Sequence, residues 1–262
     1  MKILNIPQRS EEWLTLHEGA ISGSKAKDYS KPRYISKAEL LEFAESKGYR
    51  FSSRLTIENI RNSMTKEELD ELDYTVQLND SIYKLIAERI AKPINPNDYE
   101  ERLNGRQFSM MARGEILEQE ALEVASQKIG KIIFSGRVWQ SDVNKYMICS
   151  PDGEIAEPID ESTDIMEAVE VKCLDTWKMV KAFYEKSYPI DYKDQVVQYF
   201  LVNENLQKLY FVMYSDVIVP EQVALQVFEI KREDLQAEIE MAGKLQTATL
   251  TIVEKEVQKL MF

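Results

Sequence analysis

Two periodicities divide this chain. Residues 166–174, Met-Glu-Ala-Val-Glu-Val-Lys-Cys-Leu, form a short valine-rich run with the period of a strand, and residues 131–139 and 145–149 alternate in the same way. Residues 209–214 and 223–230 read as two more strands, paired through 215–221. Helical composition and spacing cover 38–47, 66–72, 80–90, 111–128, 174–188, a segment starting at Tyr192, and 232–260. In the last, Leu235, Ile239, Leu250, Val253, Val257 and Leu260 make one apolar stripe, on one helix or on two broken near Gly243. The stripe serves equally to pack on the core or to meet another subunit. Ser10 ahead of Glu12 and Trp13 predicts a capped short helix, and 19–24 predicts a turn into a second helix capped by Ser22 or Ser24. Residues 55–57 are part of a further short element, and 95–98, Asn-Pro-Asn-Asp, are a turn. The pattern is that of an α/β fold, a central mixed sheet flanked by helices.

Composition narrows the chemistry. With 262 residues, 44% of them hydrophobic, the chain can build a proper core. No apolar run reaches membrane-spanning length, and no signal peptide precedes Lys2-Ile3-Leu4. The two cysteines, Cys149 and Cys173, read as small buried hydrophobes, too few for an iron–sulfur cluster; the single histidine, His17, rules out a multi-histidine zinc site. A reducing, cytoplasmic setting is expected. The net charge of −12 argues against a protein that coats DNA, yet residues 25–54 hold eight Lys and Arg against four acids. Lys31, Arg33, Arg50 and Arg54 are candidate phosphate contacts there, or simply a solvated face.

The chemistry centres on Ser150-Pro151-Asp152-Gly153 and, sixteen residues on, Glu170-Val171-Lys172. Strand alternation puts Glu170 and Lys172 on one face and Val169, Val171 and Cys173 on the other. A Pro-Gly turn holds Asp152 at a bend, and a hairpin brings it alongside Glu170. Converging carboxylates repel unless a cation neutralises them, and an all-oxygen set suits Mg²⁺ or Mn²⁺. Lys172 would then orient or deprotonate a water and offset charge on a phosphate. Taken singly, the first motif is an ordinary turn and the second an edge strand with a cross-strand ion pair. The intervening acids Glu154, Glu157, Asp160, Glu161 and Asp164 read as a solvated loop.

In this order the two motifs resemble those of the lambda exonuclease and YqaJ-type viral recombinase nucleases, within the PD-(D/E)XK superfamily. The resemblance runs from about Trp13 to Tyr214 and implies a restriction-endonuclease-like core. It implies one domain over 1–262, with a helical insertion at 28–108, a catalytic core at 109–231 and a C-terminal helical segment at 232–262. The insertion would wall DNA or only pack on the core. Glu118, four residues after Gly114, matches a glutamate that helps hold the metal with Asp152, Glu170 and the Val171 carbonyl. Gln195, in Tyr192-x-x-Gln195, matches a glutamine near the lysine or the attacking water; Tyr192 and Tyr199 read as packing residues. Trp13, Ile21 and Ser24 match the segment that binds a 5′-phosphate, but the family's arginine is His17 here, a poorer phosphate partner. Ser150, Arg113 and Lys178 are further DNA contacts on this reading.

The implied function is Mg²⁺-dependent exonuclease action on double-stranded DNA ends, 5′ to 3′, leaving 3′ single strands for phage-type recombination. A strand-annealing partner, a ring-shaped homotrimer and a phage or prophage source in a bacterial cell belong to the same implication. The alternatives are an endonuclease of the superfamily and a DNA-binding or assembly protein on a decayed nuclease fold.

Overall fold

A computed structural model of the protein describes residues 1–8, 10–52, 54–91, 105–155 and 165–261, with the backbone alone over 105–116. The expected turn at 95–98 and the acids at 157–164 lie outside the described residues.

Strand β1 (Lys2–Leu4) leads into α1 (Glu11–His17), capped by Ser10, whose side chain accepts from the Trp13 amide. The helix expected to follow is absent. Residues 19–25 form turns and a single 3₁₀ turn, Ala26–Asp28, that begins without a side-chain cap. The sequence Gly-Ala-Ile-Ser-Gly-Ser is consumed in backbone pairing: the Ile21 amide donates to the Tyr146 carbonyl at 2.7 Å, and the Ile148 amide donates to the Ile21 carbonyl. No helix N-terminus therefore offers amides at Ser22 or Ser24.

Helices α2 (Lys37–Ser46), α3 (Ile57–Arg61) and α4 (Lys66–Asp73) begin at Ser36, Thr56 and Thr65, each capping the amide three residues on. They surround a small core of their own, with Leu40, Ala44, Ile60, Met64 and Leu72 at its centre. Helix α5 (Asp80–Ile90) behaves differently. Its Ile82, Leu85 and Ile86 join the main core. Among the described residues up to 91, this stretch thus holds three helices around a core of their own, followed by one that belongs to the body.

Helix α6 (Gly105–Ile129) precedes β2 (Phe134–Ser135), β3 (Val138–Gln140) and β4 (Ile148–Cys149), all shorter than the alternation suggested. Then follow β5 (Gly153–Ile155), β6 (Glu167–Lys172), α7 (Thr176–Glu185), α8 (Lys193–Val202), β7 (Lys208–Tyr214), α9 (Glu221–Ala224), β8 (Leu225–Lys231) and α10 (Gln236–Met261), which runs unbroken through Gly243. The strands form a sheet ordered β1-β3-β4 and a mixed sheet ordered β2-β5-β6-β7-β8, in which only the β6–β7 pair is parallel. No described helix is long and apolar enough to cross a membrane.

Both faces of the mixed sheet are covered, as a parallel pair requires. Val169, Val171, Tyr210 and Val212 pack with Leu117, Ala121, Leu122 and Ala125 of α6. Ala168, Leu209, Phe211 and Met213 pack on the opposite side with Val196, Val197, Tyr199 and Phe200 of α8, and α10 closes that layer through Ile239, Ala242, Leu250 and Val253. The face carrying Glu170 and Lys172 is consequently buried beneath α8. Two buried amides tie this layer together: Gln198 donates to the Ile21 carbonyl at 3.1 Å, and Gln246 of α10 donates to Gln198 at 2.6 Å.

Glu154 is not a loop acid. It is 2% exposed on β5 and joins the two sheets, accepting from the Arg137 amide (3.0 Å), Arg137 Nη2 (2.7 Å) and Trp139 Nε1 (2.9 Å). A buried carboxylate is tolerated when every lone pair is engaged, and removing it strands its donors. Glu154→Ala is expected to lower stability by roughly 3 kcal/mol, read as a drop in the urea midpoint, with Glu154→Gln intermediate.

Candidate active site

The middle strand of the mixed sheet brings the predicted residues together. Strands β5 and β6 pair through Gly153 and Val169, so Asp152 sits one step beyond the pairing, at the height of Glu170. There the backbone ladder gives way to a side chain: the Val171 amide donates to Asp152 Oδ2 at 2.7 Å. Amide and carbonyl of one strand residue leave the same edge, so the Val171 carbonyl also faces the Asp152 side. Gly136 and Gly153 make the turn possible. A Cβ at Gly136 would lie 1.6 Å from the Pro151 carbonyl oxygen, and one at Gly153 would lie 2.4 Å from Ile133.

Glu170, 1% exposed, is the hub. Its Oε1 pairs with the Lys172 ammonium and accepts from Gln195 Nε2 at 2.6 Å; its Oε2 accepts from the Tyr199 hydroxyl. Gln195 reaches Tyr199 as well, at 3.2 Å, and Tyr199 reaches the Ser150 carbonyl at 3.3 Å. Tyr192 lies on Lys172, with the ammonium 5.5 Å from the ring centre. Tyr199 therefore belongs to the site rather than only to the packing. The signal was present in Gln195 and Tyr199, four apart and so on one helical face.

The electrostatics reflect crowding of acids. Burial pushes the Asp152 carboxyl well above its ordinary range, and the Glu170 and Glu118 charges add to that against the opposing Lys172. Burial works against the Lys172 ammonium, but Glu170 and Asp152 outweigh it and raise its pKa. The Glu118 charge acts on Asp152 across the gap between α6 and the sheet. Among the described residues no three His, Cys, Asp or Glu side chains are gathered closely enough to hold a metal ion. The donors present nonetheless fit a hard divalent cation of the Mg²⁺ type. They are all oxygens, they include like charges that a cation would relieve, and such an ion is held by one or two carboxylates together with waters and substrate phosphate.

Ser150 lies between this cluster and α1, its hydroxyl accepting from Trp13 Nε1 at 3.4 Å. Beside it Trp13, His17, Ser22, Ser24 and Lys25 line a cavity of about 210 Å³. Gly23 borders both clusters: a Cβ there would sit 3.3 Å from Gln195. The floor is tied to α5, since Glu88 accepts from the Gly19 amide and from Lys25 Nζ, both at 2.7 Å. Lys25 is a cavity residue that the sequence reading passed over.

His17 is stacked on Trp13 with centroids 3.7 Å apart, and its Nδ1 lies 2.7 Å from the Trp13 carbonyl. A carbonyl only accepts, so Nδ1 carries the proton and neutral His17 presents a lone pair at Nε2. Burial lowers its pKa to about 4, with the Trp13 contact opposing and the Lys25 charge reinforcing. At neutral pH His17 is thus a poor donor to phosphate.

The other candidates stand apart. Arg113 is on α6, in the part described by backbone alone. Lys178 is on α7, its ammonium 5.7 Å from the centre of the Trp177 ring. Lys31 pairs with Asp194 at 2.7 Å, and Arg33 pairs with Glu39. These two are held by acids instead of forming an open basic channel.

A mixed sheet with an acid just before the strand that pairs with its middle strand, and Glu-x-Lys on the middle strand itself, defines a restriction-endonuclease-like core. Two solved structures share the fold: an alkaline exonuclease, LHK-Exo, from Laribacter hongkongensis (TM-score 0.61) and LHK-Exo in complex with dAMP (TM-score 0.59). Each is 19% identical, over 96% of this chain and 96% of that one. No curated protein sequence matches the chain. The YqaJ-like viral recombinase domain matches residues 12–205, and the chain belongs to that family.

Two outcomes follow from this geometry. Tyr199→Phe removes a donor to a buried carboxylate and is expected to cost about 2 kcal/mol, measured as a shift in the urea midpoint. His17 titrates lower in the folded than in the unfolded chain, where it stays near 6.5, so the unfolded state binds the extra proton between pH 6.5 and about 4. Stability should fall as pH drops through that window, and His17→Asn should flatten the decline in melting temperature.

Proposed function

We propose that this protein hydrolyses DNA phosphodiesters at double-stranded ends, with Mg²⁺, from 5′ to 3′. The observation that carries the proposal is the convergence of Asp152, Glu170, Lys172 and the Val171 backbone at the end of the middle strand. Asp152 and the Val171 carbonyl, with Glu170 and Glu118, would hold the ion. A bound Mg²⁺ supplies charge to the scissile phosphate and acidifies a water ligand.

The chain's own groups do the positioning. Lys172 keeps a cation within reach of the phosphate and of the attacking water. Gln195 and Tyr199 fix Glu170 so that its oxygens keep one orientation, and Gln195 links them to the 19–25 turn. Ser150 and Ser24 offer hydroxyls to the DNA end, with Lys25 as the nearby charge. Because neutral His17 presents a lone pair, ends with and without a 5′-phosphate should be degraded at comparable rates. A 3′ single strand is the product this polarity leaves, which suits a strand-annealing partner in phage-type recombination within a bacterial cytoplasm. A homotrimer is the assembly that accompanies this reading, over one domain spanning 1–262.

Linear duplex labelled at either end tests polarity and metal need together. Loss of the 5′ label as mononucleotide in Mg²⁺, and none with chelator, is expected; Mn²⁺ should substitute. Lys172→Ala should abolish cleavage and leave duplex binding in place. Cutting of covalently closed circular DNA would make the protein an endonuclease, and wild-type cleavage by Lys172→Ala would remove the lysine from the mechanism.

A further inference from the structure

Helix α7 departs from the usual rule for a surface helix. Its inner face buries Met179 and Ala182, while its outer face exposes Trp177 (62%), Val180 and Tyr184 (80%). Trp177 and Tyr184 are two helical turns apart and so share one side. Along this helix runs a cleft of about 190 Å³, closed on the other side by residues 187–191, where Ile190 is 73% exposed. Its lining includes Trp177, Lys178, Lys181, Tyr188, Ile190 and Asp191.

The cleft is built into the rigid part of the fold. Tyr188 packs on Phe211 with centroids 5.0 Å apart, and Tyr192 packs on the same ring at 5.5 Å. Tyr192 also lies on Lys172. An unbroken run of rings thus leads from the cleft floor to the lysine beside Glu170.

We infer that this cleft binds an unpaired nucleotide of single-stranded DNA, with Trp177 as the stacking surface and Lys178 and Lys181 at the rim for the backbone. The inference rests on the nuclease reading and extends it to the strand leaving or approaching the site. Exposed rings interleaved with lysines suit single strands, because only an unpaired base offers its face for stacking. Duplex DNA offers backbone and groove edges, which exposed aromatic rings do not match. The charge around the cleft is mixed: Lys181 lies 3.7 Å from Glu185, and Asp191 lines the opposite wall. Stacking is therefore expected to dominate, with lysines guiding the phosphates.

The test measures binding of a fluorescein-labelled oligothymidylate by anisotropy, with chelator present so that no cleavage intervenes. Trp177→Ala should weaken binding by about tenfold and Trp177→Phe should restore most of it. Lys181→Ala should weaken binding less and reduce its salt dependence. Affinity for blunt duplex, measured in parallel, should stay unchanged. Equal oligothymidylate affinity in wild type and Trp177→Ala would overturn the inference. So would a parallel loss of duplex affinity, or sedimentation showing that Trp177→Ala dissociates an assembly in which a second copy covers this face. Binding is read without turnover, so absence of nuclease activity in the wild type would count against the proposed function and leave this result readable.

Discussion

Everything at the site depends on how one buried carboxylate is partnered. Glu170 sits on the middle strand, under α8, where a polar group removed from water has to find its partners within the protein. Lys172 supplies the opposite charge from the same face of the strand, two residues on. Gln195 and Tyr199 supply two further donors from the helix above. The arrangement fixes the spacing between α8 and β6, because any shift of the helix leaves Glu170 under-solvated. The same constraint holds Asp152 in place, since it docks on the amide of the residue between Glu170 and Lys172.

A second buried carboxylate plays the matching structural role. Glu154 binds Arg137 and Trp139, and so locks the small β1-β3-β4 sheet onto the strand that follows Asp152. A single residue, Gly153, separates Asp152 from Glu154, and each acid is anchored to a different partner strand. The chain is thus pinned on either side of Gly153, through the Val171 amide on Asp152 and through Arg137 and Trp139 on Glu154. Gly136 and Gly153 let the neighbouring chains close on that turn. A site that has to hold two acids against their mutual repulsion is thereby placed where the backbone has least freedom to relax.

Much of this was legible along the chain, and the failures have physical causes. Period-two alternation located β6 and assigned Glu170 and Lys172 to one face, because alternation is a property of the strand itself. It did not show that the polar face is buried, since burial depends on α8 arriving from elsewhere. For the same reason Glu154 read as a loop acid: its partners are fifteen and seventeen residues upstream, and no local pattern encodes them. Caps at Ser10, Ser36 and Thr65 follow local rules and are where such rules place them. Ser22 and Ser24 look like caps too, but the neighbouring Ile21 bridges to Met147, and the backbone after it closes local turns at Ser22 and Gly23. Tyr199 was taken for a packing residue because a ring in an apolar helix predicts packing, and only the fold reveals where its hydroxyl points.

The overall charge of −12 bears on how such a protein meets DNA. The lysines and arginines that the sequence concentrates at 25–54 are largely spent on acids of the same chain: Lys25 on Glu88, Lys31 on Asp194, Arg33 on Glu39, and Lys47 on Glu71. A pair with one partner open to solvent, as Lys31 and Glu71 are, contributes little stability, typically below about 1 kcal/mol. A net acidic surface of this sort disfavours long-range, sequence-blind coating of duplex DNA. On the proposed function, contact is left to short-range features: hydroxyls near the turn, a lysine on the middle strand, and exposed rings on the next helix. Under that proposal the charge balance suits an end or a single strand better than tracking along an intact duplex.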